Sequence, residues 1–292
     1  MRRLLILGLT TCLVGLFAWW YGSASFQRGA ALSVMPLPED GVVTNGRYTN
    51  KYFDLSYSLP HSWTTGLPGP EPSGSGYYVL SSLVPENEHN ATILIAAQDM
   101  FFAQKPYSDV AAAASDFRDA MAHVDGMAID QDPVEMNIAG HTMQRVDFSG
   151  VGLYRATFLT EIRCHFVSFN LTTQSPQLLA DLRATLEHIA HADGEHKAAS
   201  VPVCIKDYAV AENVLQRVEP KPADPRFTPI PVRIVIDRDG GVKNVHVIHG
   251  SPEQRGNIEQ ALVQWKFKPP RVNDQSVEVE TGVLFRFKAP AT

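Results

Sequence analysis

Residues 231–287 limit the fold more than any other part of the chain. Pro231-Val-Arg-Ile-Val-Ile-Asp237 alternates, with Val232, Ile234 and Ile236 on one face. Asp239-Gly240-Gly241 is a turn signal between strands, and residues 242–248 return with Val245 and Val247 on one face. Ser251-Pro252-Glu253-Gln254 has capping-box spacing, with proline at the first helical position. Ile258, Ala261, Leu262 and Trp265 then recur at i, i+3, i+4 and i+7, one buried helix face that Pro269-Pro270 stops. Residues 276–287 read as one long strand. Val277, Val279, Val283, Phe285 and Phe287 point one way; Glu278, Glu280, Arg286 and Lys288 point the other, together with Leu284.

Charge separates this part from the rest. Residues 25–225 carry 13 Lys and Arg against 24 Asp and Glu, whereas residues 226–292 carry 10 against 7. Two folded parts with different surface fields fit this balance, and 292 residues suffice for two cores. A net charge of −6 gives no support for nucleic-acid binding, and 45% apolar residues exclude wholesale disorder.

Arg2 and Arg3 precede an apolar run over residues 4–21 that ends in Trp19-Trp20-Tyr21. Eighteen helical residues reach about 27 Å, enough for a thin hydrocarbon core. The arginines keep that end in the cytoplasm, and the aromatics sit where an interfacial belt would lie. Residues 1–24 therefore read as a transmembrane anchor, with a cleaved signal segment ending near Gly22-Ser23-Ala24 as the competing reading. Either way residues 25–292 are exported, and the expected location is the inner membrane with the bulk of the chain in the periplasm. An oxidising compartment would permit a bond between Cys164 and Cys204; two buried thiols are the alternative.

Residues 25–47 read as a tether and residues 48–192 as an α+β domain of antiparallel strands and helices. Phe53, Leu55, Tyr57 and Leu59 alternate along one strand within residues 48–63. Further strands are expected over 77–83, 92–97, 142–149, 153–160 and 163–172. One helix begins with Ser108 as its cap and carries Val110, Ala113, Phe117, Met121 and Val124 as a stripe. A second follows Ser175-Pro176, with Leu178, Leu182, Leu186 and Ile189 inward. Residues 193–229 form a Pro-rich linker with room for a short helix over 208–217, and residues 230–292 are the terminal domain.

Two resemblances follow. Tyr52-Phe53-x-Leu55-x-Tyr57-x-Leu59-Pro60-x-x-Trp63, with the helix over 176–190, resembles PsbP-like α/β sandwich domains. The terminal part resembles the C-terminal domain of TonB-family energy transducers. The residues that carry this are Val235-Ile-Asp-Arg-Asp-Gly-Gly-Val242, Val247-Ile-His-Gly-Ser251, Ala261-Leu-Val-Gln-Trp265-Lys-Phe267-Lys-Pro269 and the alternation Val277 to Phe287. The resemblance implies a β-β-α-β domain whose last strand is an edge. An edge strand can receive an extended peptide through its free N–H and C=O groups. By analogy the docking surface is Ser276, Val277, Glu278, Val279, Glu280, Thr281, Gly282 and Val283. The implied partner is an outer-membrane TonB-dependent transporter, with inner-membrane proton-motor subunits as a second. Residues 4–21 lack the histidine of the family's anchor helix, and only Glu219-Pro220-Lys221-Pro222 is similar to its long spacer. A small-ligand carrier and an envelope scaffold are the alternatives to a transducer.

No catalytic motif is found: no G-x-S-x-G, H-E-x-x-H, Walker loop or G-x-G-x-x-G. The chain reads as a non-enzyme with no cofactor. His188 and His191, near Asp193, Glu195 and His196, are ligand types for a metal, but a polar helix end running into a linker is the preferred reading.

Overall fold

The computed structural model describes residues 35–88, 90–192, 201–223 and 229–287. The anchor expected over residues 1–24 lies outside them. Among the described residues no helix is long and apolar enough to cross a membrane.

The described part of the expected tether is structured. The strands β1 (Val42–Thr44), β2 (Arg47–Asn50) and β3 (Leu55–Ser58) form a small antiparallel sheet. The strand expected from the alternation of Phe53 to Leu59, which Pro60 ends, is present as the shorter β3: Asp54 turns the chain at φ +50°, and Tyr48 comes to lie opposite Tyr57. Phe53, Leu55 and Tyr57 remain buried, because the hairpin lies on the main core.

The main sheet comprises β4 (Trp63–Thr65), β5 (Tyr77–Pro85), β6 (Ala91–Asp99), β7 (Met127–Ile138), β8 (His141–Gly150), β9 (Leu153–Ile162) and β10 (His165–Thr173). Its order is β4-β5-β6-β10-β9-β8-β7, antiparallel throughout. The five strands expected from alternation are present with shifted ends. The twelve-residue β7 is an addition; it is largely exposed and holds Pro133, which suits a sheet edge.

Helices cover both faces, as an α+β sandwich requires. α1 (Val110–Ala122) packs Phe117 and Met121 against Val146 and Phe148. Its cap is Asp109, not Ser108: the Asp109 carboxylate accepts the Ala112 N–H at 2.8 Å, and the Ser108 hydroxyl donates to that carboxylate. α2 (Pro176–Thr185), capped by Ser175, sets Leu182 and Leu186 among Phe169, Leu171 and Ile93 on the opposite face.

The linker is not a free spacer. Its described part, residues 201–223, wraps the terminal domain. It contributes β11 (Val203–Cys204) and β12 (Val214–Gln216), so the short helix expected over 208–217 is replaced by a turn and a strand. The buried Gln254 side chain accepts the Ala223 N–H and donates to Lys221 O, and the Trp265 indole donates to Val218 O at 2.8 Å.

The terminal domain runs β13 (Ile230–Ile236), β14 (Val242–Val247), α3 (Pro252–Leu262), β15 (Lys266–Phe267), β16 (Arg271–Val272), β17 (Gln275–Ser276) and β18 (Val279–Phe285). Ser251 caps α3 as its Ser-Pro start predicts. β12 pairs with β15, and β16 with β17. The main order is β11-β18-β13-β14. Two expectations are corrected here. The long strand over 276–287 is interrupted at residues 277–278, because Gln275 and Ser276 belong to a separate hairpin with Arg271 and Val272. The last strand is also not an edge along its whole length, because β11 adds to it in parallel over Val279 and Glu280.

Candidate interaction surface on the terminal domain

One face of the terminal sheet carries Val232, Ile234 and Ile236, which pack with Trp265 and Ile258 in its own core. The other face presents Arg233, His246 and Glu280, and it meets the first domain. Arg233 is 2% exposed, Glu280 4% and Asp99 0%. The Arg233 guanidinium lies 2.7 Å from Asp99 Oδ2 and 3.2 Å from Glu280 Oε1. Arg163 Nη2 stands 3.0 Å from Glu280 Oε2, and the Tyr52 hydroxyl donates to Glu280 Oε1 at 2.8 Å. Two cations thus balance two carboxylates, which is what burial of charge demands. Each guanidinium also covers a ring: Arg163 over Tyr52 at 3.9 Å and Arg233 over Phe101 at 4.4 Å.

The charges shape one another. Burial alone would raise the Glu280 carboxyl, but Arg233, Arg163 and the Tyr52 hydroxyl outweigh it and hold it below the usual range. Burial raises Asp99, whose cationic neighbour Arg233 offsets only part of the effect. Burial, followed by repulsion from Arg233, pushes His165 well below the ordinary histidine value. Its Nδ1–H donates to Arg163 O at 2.8 Å, so the bare Nε2 faces Arg233. His246 Nε2 lies 2.9 Å from Glu39 Oε1, which ties residues preceding β1 to the terminal sheet.

The turn between β9 and β10 supplies both Arg163 and a covalent link. Ile162 pairs with His165, so Arg163 and Cys164 are the two central residues, at φ +50° and +54°. Such turns prefer Asn and Gly. Here the left-handed backbone holds two side chains that reach out of the first domain, one to the terminal domain and one to the linker strand β11. Arg163 meets Glu280, and Cys164 is disulfide-bonded to Cys204 with Cα atoms 6.1 Å apart. The loop closed is 40 residues, for which chain entropy gives about 3–4 kcal/mol.

The residues expected to form the docking surface do not share one environment. Ser276 sits in the β16–β17 hairpin, and the Val277 N–H donates to Pro270 O. Glu278 pairs with Lys243 at 2.7 Å, while its carbonyl accepts the Val203 N–H. Val279 is buried. Glu280 lies in the charge network, and its carbonyl accepts the Ile205 N–H at 3.0 Å. The Thr281 hydroxyl donates to Lys206 O. Gly282 and Val283 are half-buried, Gly282 close to Phe101 and Phe102 and Val283 against the terminal core.

Beyond Glu280 the edge opens. The carbonyls of Glu278 and Glu280 face β11, so by the period of two the backbone groups of Gly282, Leu284 and Arg286 face the same side. Leu284 lies opposite Pro231 on β13, and among the described residues no strand pairs with Gly282–Arg286 on the outer side. A groove of about 810 Å³ runs beside them, walled across by the first domain's Phe101, Phe102 and Gln104. A second groove of about 450 Å³, lined by Arg217, Pro220 and Trp265, flanks Val283 and Phe285. Leu284 is 40% exposed.

Asp99, His165, Arg163 and Arg233 were not expected in a site. The available signal was Arg233, a charge in the middle of an apolar strand. His191, a candidate metal ligand, pairs with Asp54 at 2.8 Å, and no group of three or more metal-ligating side chains occurs among the described residues.

Residues 229–289, about a fifth of the chain, match the family model for the C-terminal domain of the Gram-negative bacterial TonB protein. Solved structures similar to the chain include a PsbP protein, CyanoP from Synechocystis. It is 13% identical with a TM-score of 0.34, and the match covers 48% of this chain and 86% of that one. A Pseudomonas aeruginosa protein of unknown function, PA94, is 17% identical with a TM-score of 0.30, covering 46% of this chain and 88% of the other. These two likenesses carry no functional weight. No curated protein matches the chain.

Proposed function

We propose that this protein is a partner-binding protein of TonB type, which takes up an extended peptide by strand addition at Gly282, Leu284 and Arg286. The observation that carries the reading is the open end of β18, where the backbone of Gly282, Leu284 and, just past the strand, Arg286 faces outward beside a groove of about 810 Å³. Main-chain bonds would give affinity, and the groove would select side chains. The main sheet's free edge at β7 offers no equal surface, since Pro133 interrupts it and its register with β8 shifts twice. The family match over residues 229–289 supports an outer-membrane transporter as the source of the peptide. In this reading residues 1–24 anchor the chain in the inner membrane, and the described domains lie in the periplasm.

The test is photo-crosslinking in cells from a probe at position 284 of the full chain, compared with a probe at Val151, an exposed hairpin tip. Position 284 should capture an outer-membrane transporter that position 151 does not. With the probe moved to Arg286, Leu284→Pro should abolish capture, because it removes an outward N–H and obstructs the edge. Identical adducts from both sites, or capture unaffected by Leu284→Pro, would overturn the proposal.

A further inference from the structure

We propose that β11 is a built-in guest: the docking edge runs from Glu278 to Arg286, and Val203–Cys204 occupies its beginning until the Cys164–Cys204 bond is reduced. This rests on the reading of β18 as a docking strand.

β11 lies on β18 as an incoming strand would. It runs parallel, with Val203 opposite Val279 and Cys204 opposite Glu280. Val203 N–H donates to Glu278 O at 2.8 Å, and Ile205 N–H donates to Glu280 O at 3.0 Å. Its flanks are held, Pro202 by burial and Tyr208 and Ala209 by packing on the terminal core, but the strand itself adds little. The strand is two residues long, Val203 is 38% exposed and Val201 60%. The Thr281 hydroxyl adds one bond to Lys206 O. A pairing this short, with so little apolar burial, belongs to the least stable class of local structure. What fixes it is covalent: Cys204 is tied to Cys164 at the β9–β10 turn.

That turn has its own hold on the terminal domain. Arg163 pairs with Glu280, and Arg233 donates to Arg163 O at 3.1 Å. Opening the disulfide therefore frees the linker strand without parting the two domains. Both cysteines are only half-buried, so a small dithiol can reach them. Its thiolate attacks one sulfur of the bond to give a mixed disulfide, and its second thiol displaces that intermediate. Two electrons and two protons pass to Cys164 and Cys204, which end as thiols, and the reductant ends as a disulfide. The accessible edge then lengthens from 282–286 to 278–286.

Amide hydrogen exchange on the full chain tests this without any partner. Three samples are compared: oxidised protein, protein reduced with dithiothreitol, and Cys204→Ser without reductant. Reduction and Cys204→Ser should each speed exchange at Val203 and Ile205 by at least about tenfold, while Ile234 in β13 stays unchanged. Unchanged exchange at Val203 and Ile205 with both thiols free would refute the proposal. So would equal acceleration at Ile234, since β11 would then be a structural member of the domain and not a cover. Crosslinking from position 284 judges the docking reading separately, so failure of one measurement is not failure of the other.

Discussion

Arg233→Met is the most direct probe of how the two domains are held. Methionine keeps much of the buried stem and removes the guanidinium. Glu280 would keep Arg163 at 3.0 Å and the Tyr52 hydroxyl at 2.8 Å. Asp99 would keep only the Phe101 N–H, at 2.8 Å, and a neutral His165. One fully buried carboxylate thus loses its cation. Removing one partner of a buried ion pair costs about 3–5 kcal/mol, because the other charge stays desolvated. That is a large share of the 5–15 kcal/mol available to a typical domain. The loss should appear in urea denaturation followed by tryptophan fluorescence, with the buried Trp265 reporting on the terminal core. Adding Asp99→Asn removes the stranded charge but keeps an acceptor for the Phe101 N–H, so the double variant should recover a substantial part of the loss. A loss below about 1 kcal/mol for Arg233→Met, or Asp99→Asn adding its full cost on top, would refute the account of a coupled network.

Two further outcomes follow from the same interface. His165 has a folded pKa well below its unfolded value, so its contribution is complete above about pH 6.5 and is lost as pH falls, by at most about 1.4 kcal/mol per pH unit. Glu280, also lowered, has the same sign in the carboxylate range, whereas Asp99, raised, loses stability as pH rises through its folded pKa. Urea denaturation at several pH values should therefore show a shallower decline below pH 6.5 for His165→Gln than for the parent; equal slopes would rule out a neutral buried imidazole. A Cβ at Gly282 would stand 2.9 Å from Phe101 Cβ and 3.0 Å from Phe102 Cζ, so Gly282→Ala should cost about 1–3 kcal/mol by overpacking the domain contact. Gly256, in α3 with nothing within 4 Å of its added Cβ, should instead gain about 0.5–1 kcal/mol on change to Ala, and the contrast in denaturation midpoints checks both.

What was legible in the sequence depended on period and punctuation. The alternation of Val232, Ile234 and Ile236 and the Ser-Pro starts of α2 and α3 each point to one structure, because hydrophobic spacing and capping agree there. The cap of α1 is ambiguous in sequence because Ser108 and Asp109 are both good caps; in the structure the Asp109 carboxylate takes the Ala112 N–H. The hairpin at Tyr48–Tyr57 was hidden because Asp54, not Gly, makes the left-handed turn, while the apolar residues around it alternate as in one strand. β7 was hidden by its interruption: Met127 and Ile129 alternate, as do Val134, Met136 and Ile138, but the polar stretch with Pro133 and two register shifts between them break the period. The two-residue β11 has no period at all, and it is the segment that covers Glu278–Glu280 within the docking surface placed at residues 276–283.

The terminal domain's second face explains why the rest of the site was illegible. Its single helix covers one side of the sheet, so Arg233, His246 and Glu280 on the other side read as solvent-facing residues of a half-exposed sheet. In the folded chain that side is closed by Tyr52, Asp99 and Arg163 from positions far away in sequence. A charged residue in an alternating strand is compatible with water or with a matched counter-charge, and the strand alone cannot distinguish them. The Arg163-Cys164 turn does distinguish them. Neither residue is favoured in a left-handed turn; the Arg163 side chain ends on the terminal domain and Cys164 on the linker strand that lies against it. Backbone cost accepted at two adjacent positions, each linked across the same boundary, indicates that the relative placement of the domains is itself what the fold maintains. That placement leaves β18 covered over Glu278–Glu280 and open over Gly282–Arg286.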